Sequence, residues 1–353
     1  MAPEPVDIDM EVNRTEIDEG DAEQKIINEG HYMLALAQVP PFLYDMILST
    51  ALEWPTLTTQ WFPDVKEPAG KNFTIHRLLI GTHTSNGAQN YLQIANVELP
   101  KNITPNPHDY DEERGEIGGY GNSASGEQPA IKMNIEQKID HPGEVNKARY
   151  QPQNPNIIAT MCVDGRVLIF DRTKHSSIPK GVVNPQAELI GHKKEGFGLS
   201  WNPDPAQAGK LATGGEDRTV RLWDLKTISS SNNHIKASRV YTHHTAVVND
   251  VQYHPTHRSL IGSVSDDLTL QILDVRQASN SDKTIGIWDM RNLKDKLHAL
   301  EGHTEAVTSL AWHPHEEAVL GSASYDRRVI FWDLSRVGEE QLPDDQEDGP
   351  PEL

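Results

Sequence analysis

The chain has 353 residues and a formal net charge of −20, with 52 acidic residues against 32 Lys and Arg. This acidity disfavours direct contact with nucleic-acid phosphates and favours basic partners. The single cysteine, Cys162, excludes intramolecular disulfide bonds, and no apolar run approaches the roughly 18 residues of a membrane-spanning helix, so no membrane contact is expected.

The N-terminal region is predicted to contain a tail followed by helix. Residues 1–24 are acidic, have almost no large apolar side chains, and are therefore interpreted as a disordered tail. Residues 25–53 are predicted to be helical in two pieces, because Pro40-Pro41 interrupts the pattern and Trp54-Pro55 ends it.

Three runs of strand length follow: Thr58 to Phe62, Thr74 to Gly81 and Tyr91 to Leu99. Residues 101–130 are predicted to form a long loop that is acidic at first and then rich in Gly and Ser. Its GEIGGYG run resembles a phosphate-binding loop only superficially, because it opens no helix and lacks the Lys-Ser/Thr pair.

A repeated unit occupies most of the remaining chain. In its best-formed copy, Gly302-His303 opens the unit, Trp332-Asp333 closes it, and three short apolar runs lie between. The other copies run from His141 to Asp171, from His192 to Asp224 and from His244 to Asp274, each with an Asp seven residues before the closing one: Asp164, Asp217, Asp267 and, in the last copy, Asp326.

This period of about 45–50 residues is typical of four-stranded propeller blades and resembles the WD40 repeat. In that pattern the opening His, the turn Asp and the closing Trp meet within a blade, here His303, Asp326 and Trp332. A structural role is favoured over a catalytic one, because the pair recurs in every repeat. A buried His and Asp that share a hydrogen bond also satisfy each other's polar groups.

The repeat register fails once. The closing Asp274 is followed by another Trp-Asp, at Asp289, after only 15 residues, so the segment from Ser281 to Asp289 reads as the tail of a repeat without its front. On repeat length, about 30–40 residues are expected to be missing between Val275 and Asp282. We also expect a last blade to be absent after Leu353.

Several motifs resemble one WD40 subfamily, the histone-binding family of the retinoblastoma-binding histone chaperones and their fungal acetyltransferase-associated members. They are PFLYD at 41–45, ALEWPTLT at 51–58, HRL at 76–78, GTHT at 81–84, GEVNKARY at 143–150, GEEQ at 338–341 and DGPPEL at 348–353. The resemblance implies an all-β, seven-bladed propeller with an N-terminal α-helix, incomplete here, whose blades occupy residues 54–338.

The same resemblance implies two histone sites. Histone H4 would bind in a groove between the N-terminal helix and the acidic loop 339–353, contacting Leu43, Ile47, Leu342, Asp344, Asp345, Glu347 and Asp348. A basic tail such as that of histone H3 would bind on the top face, at Glu144, Asn146, Glu195 and Phe197. The pattern departs at Asn249 and Ala306, which replace expected acids, and at residues 30–39, which are apolar where the family is charged.

We therefore predict a non-catalytic histone-binding subunit that presents newly made histone to a separate acetyltransferase and to chromatin assembly, in nucleus and cytoplasm. No catalytic residues, metal or cofactor are expected. Subunits of other chromatin complexes are expected as further binding partners. The alternative from another class is a substrate receptor of a cullin-type ubiquitin ligase, suggested by the short adaptor motif at Trp288, Asp289 and Arg291. Direct enzymatic activity is the least favoured interpretation.

Overall fold

The computed structural model describes residues 50–71, 73–85, 87–101, 110–111, 116–117, 133–227, 233–267, 269–275 and 302–336. The chain divides into two compact units, Met1–Thr50 with Pro100–Ile131, and Ala51–Leu99 with Lys132–Leu353. Within its described residues the second unit contains five β-sheets, numbered here in chain order.

The first sheet has the strand order β1-β2-β3-β6. Its strands are β1 (Thr59–Lys66), β2 (Phe73–Gly81), β3 (Asn90–Pro100) and β6 (Met133–His141). The three predicted strands of this region are confirmed, although β1 extends to Lys66 through an irregularity between Trp61 and Val65. In the other unit, β4 (Tyr110–Asp111) and β5 (Glu116–Ile117) form a two-stranded antiparallel ribbon.

The second and third sheets contain the first two predicted repeats. The second sheet comprises β7 (Val145–Gln151), β8 (Asn154–Cys162), β9 (Val167–Asp171) and β10 (Ala187–Ile190), with β14 (His234–Lys236) added in parallel beside β10. The third comprises β11 (Gly198–Trp201), β12 (Lys210–Gly214), β13 (Val220–Asp224) and β15 (Arg239–Tyr241).

The fourth and fifth sheets have three strands each within the described residues. The fourth comprises β16 (Val248–Tyr253), β17 (Leu260–Ser265) and β18 (Leu270–Asp274), and the fifth comprises β19 (Val307–Trp312), β20 (Val319–Ser324) and β21 (Val329–Asp333). The three apolar runs predicted for the best-formed repeat are Ala306 to Trp312, Ala318 to Ala323 and Val329 to Trp332, and the strands of the fifth sheet match them to within one residue at each end.

The hydrophobic core lies between consecutive sheets. One cluster joins the first and second sheets, a second joins the second and third, a third joins the third and fourth, and a fourth joins Val264 and Leu270 of the fourth sheet to Leu310, Leu320 and Trp332 of the fifth. Strand alternation explains this: on β21, Ile330 and Trp332 are buried while Val329 and Phe331 are exposed. Each sheet therefore depends on its neighbours for burial, as in a stack of blades.

These sheets confirm the predicted all-β class and agree with a WD40 propeller. The described residues contain only short 3-10 turns besides strands, and none of their helices is long and apolar enough to cross a membrane. The predicted tail 1–24, most of the helical segment 25–53 and the incomplete repeat around 275–289 lie outside the described residues. The end of that segment, residues 50–53, is described and is not helical.

Candidate functional site

The predicted His-Asp-Trp constellation forms in the last repeat as a relay of hydrogen bonds. Trp332 Nε1 donates to Ser322 Oγ at 2.8 Å, and Ser322 Oγ lies 2.7 Å from His303 Nε2. His303 Nδ1 lies 2.9 Å from Asp326 Oδ2. Because the carboxylate only accepts, Nδ1 carries the proton, and the Ser322 hydroxyl donates to Nε2.

The third sheet repeats the relay, with Trp223, Thr213, His192 and Asp217 linked by bonds of 2.9, 2.7 and 3.0 Å. The fourth sheet has the shorter set of Ser263, His244 and Asp267, because Leu273 stands in the Trp position. Burial raises the pKa of Asp217 and Asp267, but hydrogen bonds from the histidines and from neighbouring Thr hydroxyls outweigh it and lower both values. The recurrence supports the structural interpretation of the pair.

The first repeat differs from the prediction. His141 Nδ1 lies 2.6 Å from Gly143 O, and His141 Nε2 lies 2.9 Å from Thr160 Oγ1, so the histidine is satisfied without a carboxylate. Asp164 instead accepts a 2.7 Å bond from Arg166 Nε. Burial lowers the pKa of His141 to about 4. The shared Asp in the sequence therefore does not ensure the shared bond.

Two of the four predicted top-face residues, Asn146 and Glu195, are in contact where β7 and β11 begin. Asn146 is 2% exposed, and its Nδ2 donates to Glu195 Oε2 at 3.2 Å and to Gly196 O at 3.3 Å. Asn146 Oδ1 is buried and has no hydrogen-bond donor. Glu144 and Phe197 lie beside these residues in sequence and are half-buried. Asn146 thus joins the second and third sheets through its amide nitrogen.

Glycine is required at the centre of this edge. A Cβ at Gly196 would lie 2.4 Å from Gly214 O and 3.1 Å from Gly215 Cα, both backbone atoms that cannot move aside easily. The close approach lets the loop before β11 lie against the end of β12. The carboxylate of Glu195 is therefore presented by a tightly packed loop.

The position of Asn146 recurs in the fourth sheet. Asn249, also the second residue of its strand, donates from Nδ2 to Asp266 Oδ1 at 2.7 Å and to Val307 O at 3.0 Å in the fifth sheet. The residue that departs from the family pattern therefore makes the same sheet-to-sheet contact as Asn146. Its neighbour in the next repeat, Ala306, brings no charge to this edge.

A buried ion pair that no sequence pattern predicted joins two sheets. Lys147 Nζ lies 3.1 Å from Asp250 Oδ1, and the two side chains are 16% and 2% exposed. Asp250 Oδ2 also accepts weak bonds from Ser309 Oγ and Leu310 N. One carboxylate thus joins the second, fourth and fifth sheets. No local signal predicts it, because the partners are 103 residues apart.

The other predicted sites lie outside the described residues. These are the histone H4 groove, with Leu43, Ile47, Leu342, Asp344, Asp345, Glu347 and Asp348, and the adaptor motif, with Trp288, Asp289 and Arg291. Their roles stay predictions.

Comparison with known proteins gives two kinds of family match. Residues 37–101 match the family model described as "Histone-binding protein RBBP4", a description that also names the CAF1 complex. Residues 183–224, 235–274 and 294–333 match "WD domain, G-beta repeat", which covers the third, fourth and fifth sheets.

Similar proteins from fungi match nearly the whole chain. It is 60% identical to histone acetyltransferase type B subunit 2 of Aspergillus oryzae, over 94% of this chain and 82% of that protein. It is 60% identical to the protein of the same name in Neurospora crassa, over 100% of this chain and 85% of the relative, and 58% identical to that of Gibberella zeae, over 100% and 87%. With these identities and the histone-binding and WD matches together, the chain belongs to the family of the histone acetyltransferase type B subunit 2 proteins.

Proposed function

We propose that this chain is the non-catalytic, histone-binding subunit of a type B histone acetyltransferase. It holds histone H4, and the tail of histone H3, while a different protein of the complex carries the catalytic groups. The acetylated histone then passes to chromatin assembly, so the protein works in cytoplasm and nucleus. Subunits of other chromatin complexes are further proposed partners.

The observation that carries the proposal is the acidic edge at the start of β7 and β11. Within the described part of the chain, neither Glu144 nor Glu195 forms an ion pair with a Lys, Arg or His. The nearest lysines in sequence are engaged elsewhere, Lys147 with Asp250 and Lys194 with Glu216. Two carboxylates are therefore left for a cation from outside.

The chemistry of this edge suits a Lys or Arg side chain. A cationic group donates several hydrogen bonds and accepts none, so it matches the carboxylates of Glu144 and Glu195. Half-buried Phe197 adds an aromatic surface against which a cation or its aliphatic stem packs. Charge-assisted bonds of this kind contribute about 1.5–3 kcal/mol each.

The proposal for histone H4 rests on sequence. The matched family model, described as histone-binding, covers residues 37–101 and so includes Leu43 and Ile47. The loop 339–353 carries seven acids and no Lys or Arg, with an apolar Leu342 among them. A basic amphipathic helix binds most readily where an apolar strip lies beside carboxylates.

One calorimetric experiment tests both sites. Glu144→Gln with Glu195→Gln removes two charges from the top edge, and binding of an H3-tail peptide should weaken at least about tenfold. Glu316→Gln with Glu317→Gln is the matched control, because it removes two charges from the turn at the opposite end of β19. Binding of an H4 first-helix peptide should be unchanged in both variants.

The second arm reverses Asp344, Asp345, Glu347 and Asp348 to Lys. Like-charge repulsion should abolish binding of the H4 peptide, spare the H3 peptide and leave the circular dichroism spectrum unchanged. Binding of the H4 peptide by the wild type should weaken between about 0.05 and 0.5 M salt as the Debye length shortens. Undiminished H4 binding by the reversed loop, or equal loss of both peptides in the top-edge variant, would contradict the two-site assignment.

The alternative of a ubiquitin-ligase receptor predicts a different partner. Affinity capture with the tagged chain from a fungal extract should recover histones and a catalytic acetyltransferase. Recovery of a cullin adaptor without them would favour the alternative and reassign Trp288, Asp289 and Arg291.

A further inference from the structure

A cluster of cations surrounds the ring of Phe62 where the first and second sheets meet. Arg77 forms a two-pronged pair with Asp64, with Nε at 2.8 Å from Oδ2 and Nη2 at 2.6 Å from Oδ1. The guanidinium carbon of Arg77 lies 5.0 Å from the centroid of the Phe62 ring, and that of Arg172 lies 5.7 Å from it. The ring of Tyr150 stacks on Phe62 at 5.2 Å.

Arg172 differs from Arg77 because no acceptor among the described residues bonds to its guanidinium. Its Nε is buried and makes no hydrogen bond, which is a costly state for a charged donor. Among the described residues, no carboxylate forms an ion pair with Arg172. Burial lowers the pKa of Arg172, and the charge of Arg77 lowers it further. Three carboxylates act in the opposite direction and raise it: Asp64, Glu136 and Asp171.

Each of those three carboxylates is already engaged by another cation. Asp64 holds Arg77, Glu136 lies 3.4 Å from Lys66 Nζ, and Asp171 lies 3.5 Å from Lys174 Nζ. Asp171 also accepts bonds from the backbone and hydroxyl of Thr173, which fixes its orientation. Four cations thus share three carboxylates, and the remaining positive charge lies on Arg172, in a chain whose net charge is −20.

The cluster is far from the acidic top edge. In the second sheet, Val145 pairs with Cys162 at one end, whereas Ile157 pairs with Asp171 towards the other. Arg172 follows Asp171 and therefore lies at the edge opposite Glu144 and Asn146. Lys66 and Lys174, the partners of Glu136 and Asp171, have side chains 52% and 64% exposed, so the cluster includes cations that reach solvent.

We propose that Arg172 anchors a docking site for an acidic peptide segment of a partner protein, with an Asp or Glu carboxylate paired to its guanidinium. A planar carboxylate matches the geometry of a guanidinium, and the Arg172 side chain is only partly buried. Lys66 and Lys174 would contact further acidic residues of the segment. Partners that bring acidic segments can therefore bind this edge while basic histone segments occupy the other.

The test uses the full chain and a fluorescein-labelled decapeptide of alternating Glu and Ala, with the Gln-Ala peptide as a blank. Fluorescence anisotropy at low salt should show saturable binding of the Glu peptide alone. Arg172→Gln should weaken it at least about tenfold, in line with the loss of a charge-assisted bond. Arg258→Gln is the matched control and should bind as the wild type does, since Arg258 is an exposed arginine with a 3.4 Å contact to Asp204.

Two further measurements make the result decisive. Arg172→Lys retains a cation beside the Phe62 ring and should bind more weakly than the wild type but more tightly than Arg172→Gln. Inorganic phosphate at a concentration matched to the peptide carboxylates should displace little of the peptide. Three results would overturn the proposal. They are the absence of saturable binding, equal binding by the Arg172→Gln and Arg258→Gln variants, and full displacement of the peptide by phosphate. The last result would indicate an adventitious ion only.

Discussion

Acidification should destabilise this protein through His141 before its carboxylates begin to titrate. His141 is 1% exposed and is the histidine of the four repeats that has no carboxylate partner. Burial holds its pKa at about 4, below the ordinary value of 6.5. The unfolded chain therefore takes up the proton first, and stability is full above pH 6.5 and falls as the pH drops towards 4.

The magnitude follows from the two values. The full difference corresponds to about 3 kcal/mol, and at pH 5 about 2 kcal/mol of it should already be lost. Burial is the main cause, because the charged imidazolium loses its hydration. In addition, Nε2 accepts from Thr160, so a proton added there requires the hydroxyl to rotate and accept.

The assay compares urea unfolding of the wild type and His141→Asn at pH 7, 6 and 5. Asn keeps a donor near the position of Nδ1 for Gly143 O but does not titrate. The wild type should lose about 2 kcal/mol more than the variant between pH 7 and pH 5. Because each protein is compared with itself, a general destabilisation of the variant does not affect the result. Parallel pH profiles for the two proteins would refute the reasoning.

Two further substitutions test contacts between and within sheets. Asp250→Asn leaves Lys147 buried and unpaired, so the free energy of unfolding should fall by about 3–5 kcal/mol. Lys66→Met breaks an exposed pair and should change the free energy of unfolding by less than about 1 kcal/mol. Equal effects of the two substitutions in urea unfolding would contradict the assigned burial. Trp332→Phe removes the donor to Ser322 together with part of the buried indole, so the share of the hydrogen bond, about 1 kcal/mol of the free energy of unfolding, is obtained by comparison with Ser322→Ala in urea unfolding. If Trp332→Phe lowers the free energy of unfolding by the same amount in the wild type and in the Ser322→Ala variant, the hydrogen bond contributes nothing.

The sequence was most informative where structure is local and periodic. The strands Val307–Trp312 and Val329–Asp333 follow from alternating apolar residues between turn residues, and the His303 relay follows from a motif repeated at fixed spacing. The family resemblance assigned Asn146 and Glu195 to one face, and a 3.2 Å hydrogen bond joins them, whereas their role in binding a basic tail stays a prediction.

The remaining features depend on contacts that no local pattern encodes. Asp164 has the spacing of a relay carboxylate, yet it accepts a hydrogen bond from Arg166, two residues away. The Nδ1 atom of His141 bonds instead to the carbonyl oxygen of Gly143. The extension of β1 to Lys66 passes through Pro63 and Asp64, and Arg77 of the next strand holds Asp64 there. The imbalance at Arg172 becomes visible only when charges from two sheets are brought together in space.

The placement of the hydrophobic core between sheets determines which sheets unfold locally most easily. A middle sheet is protected by apolar contacts on two faces, whereas the outer faces of the first and fifth sheets leave Trp61, Val65, Val329 and Phe331 about half exposed or more. Cooperativity is then transmitted from neighbour to neighbour, and local opening is least costly at the two ends of the series. Amide hydrogens should accordingly exchange fastest in β1 and β21 and slowest in β8 and β12, so that backbone motion is graded across the series of sheets.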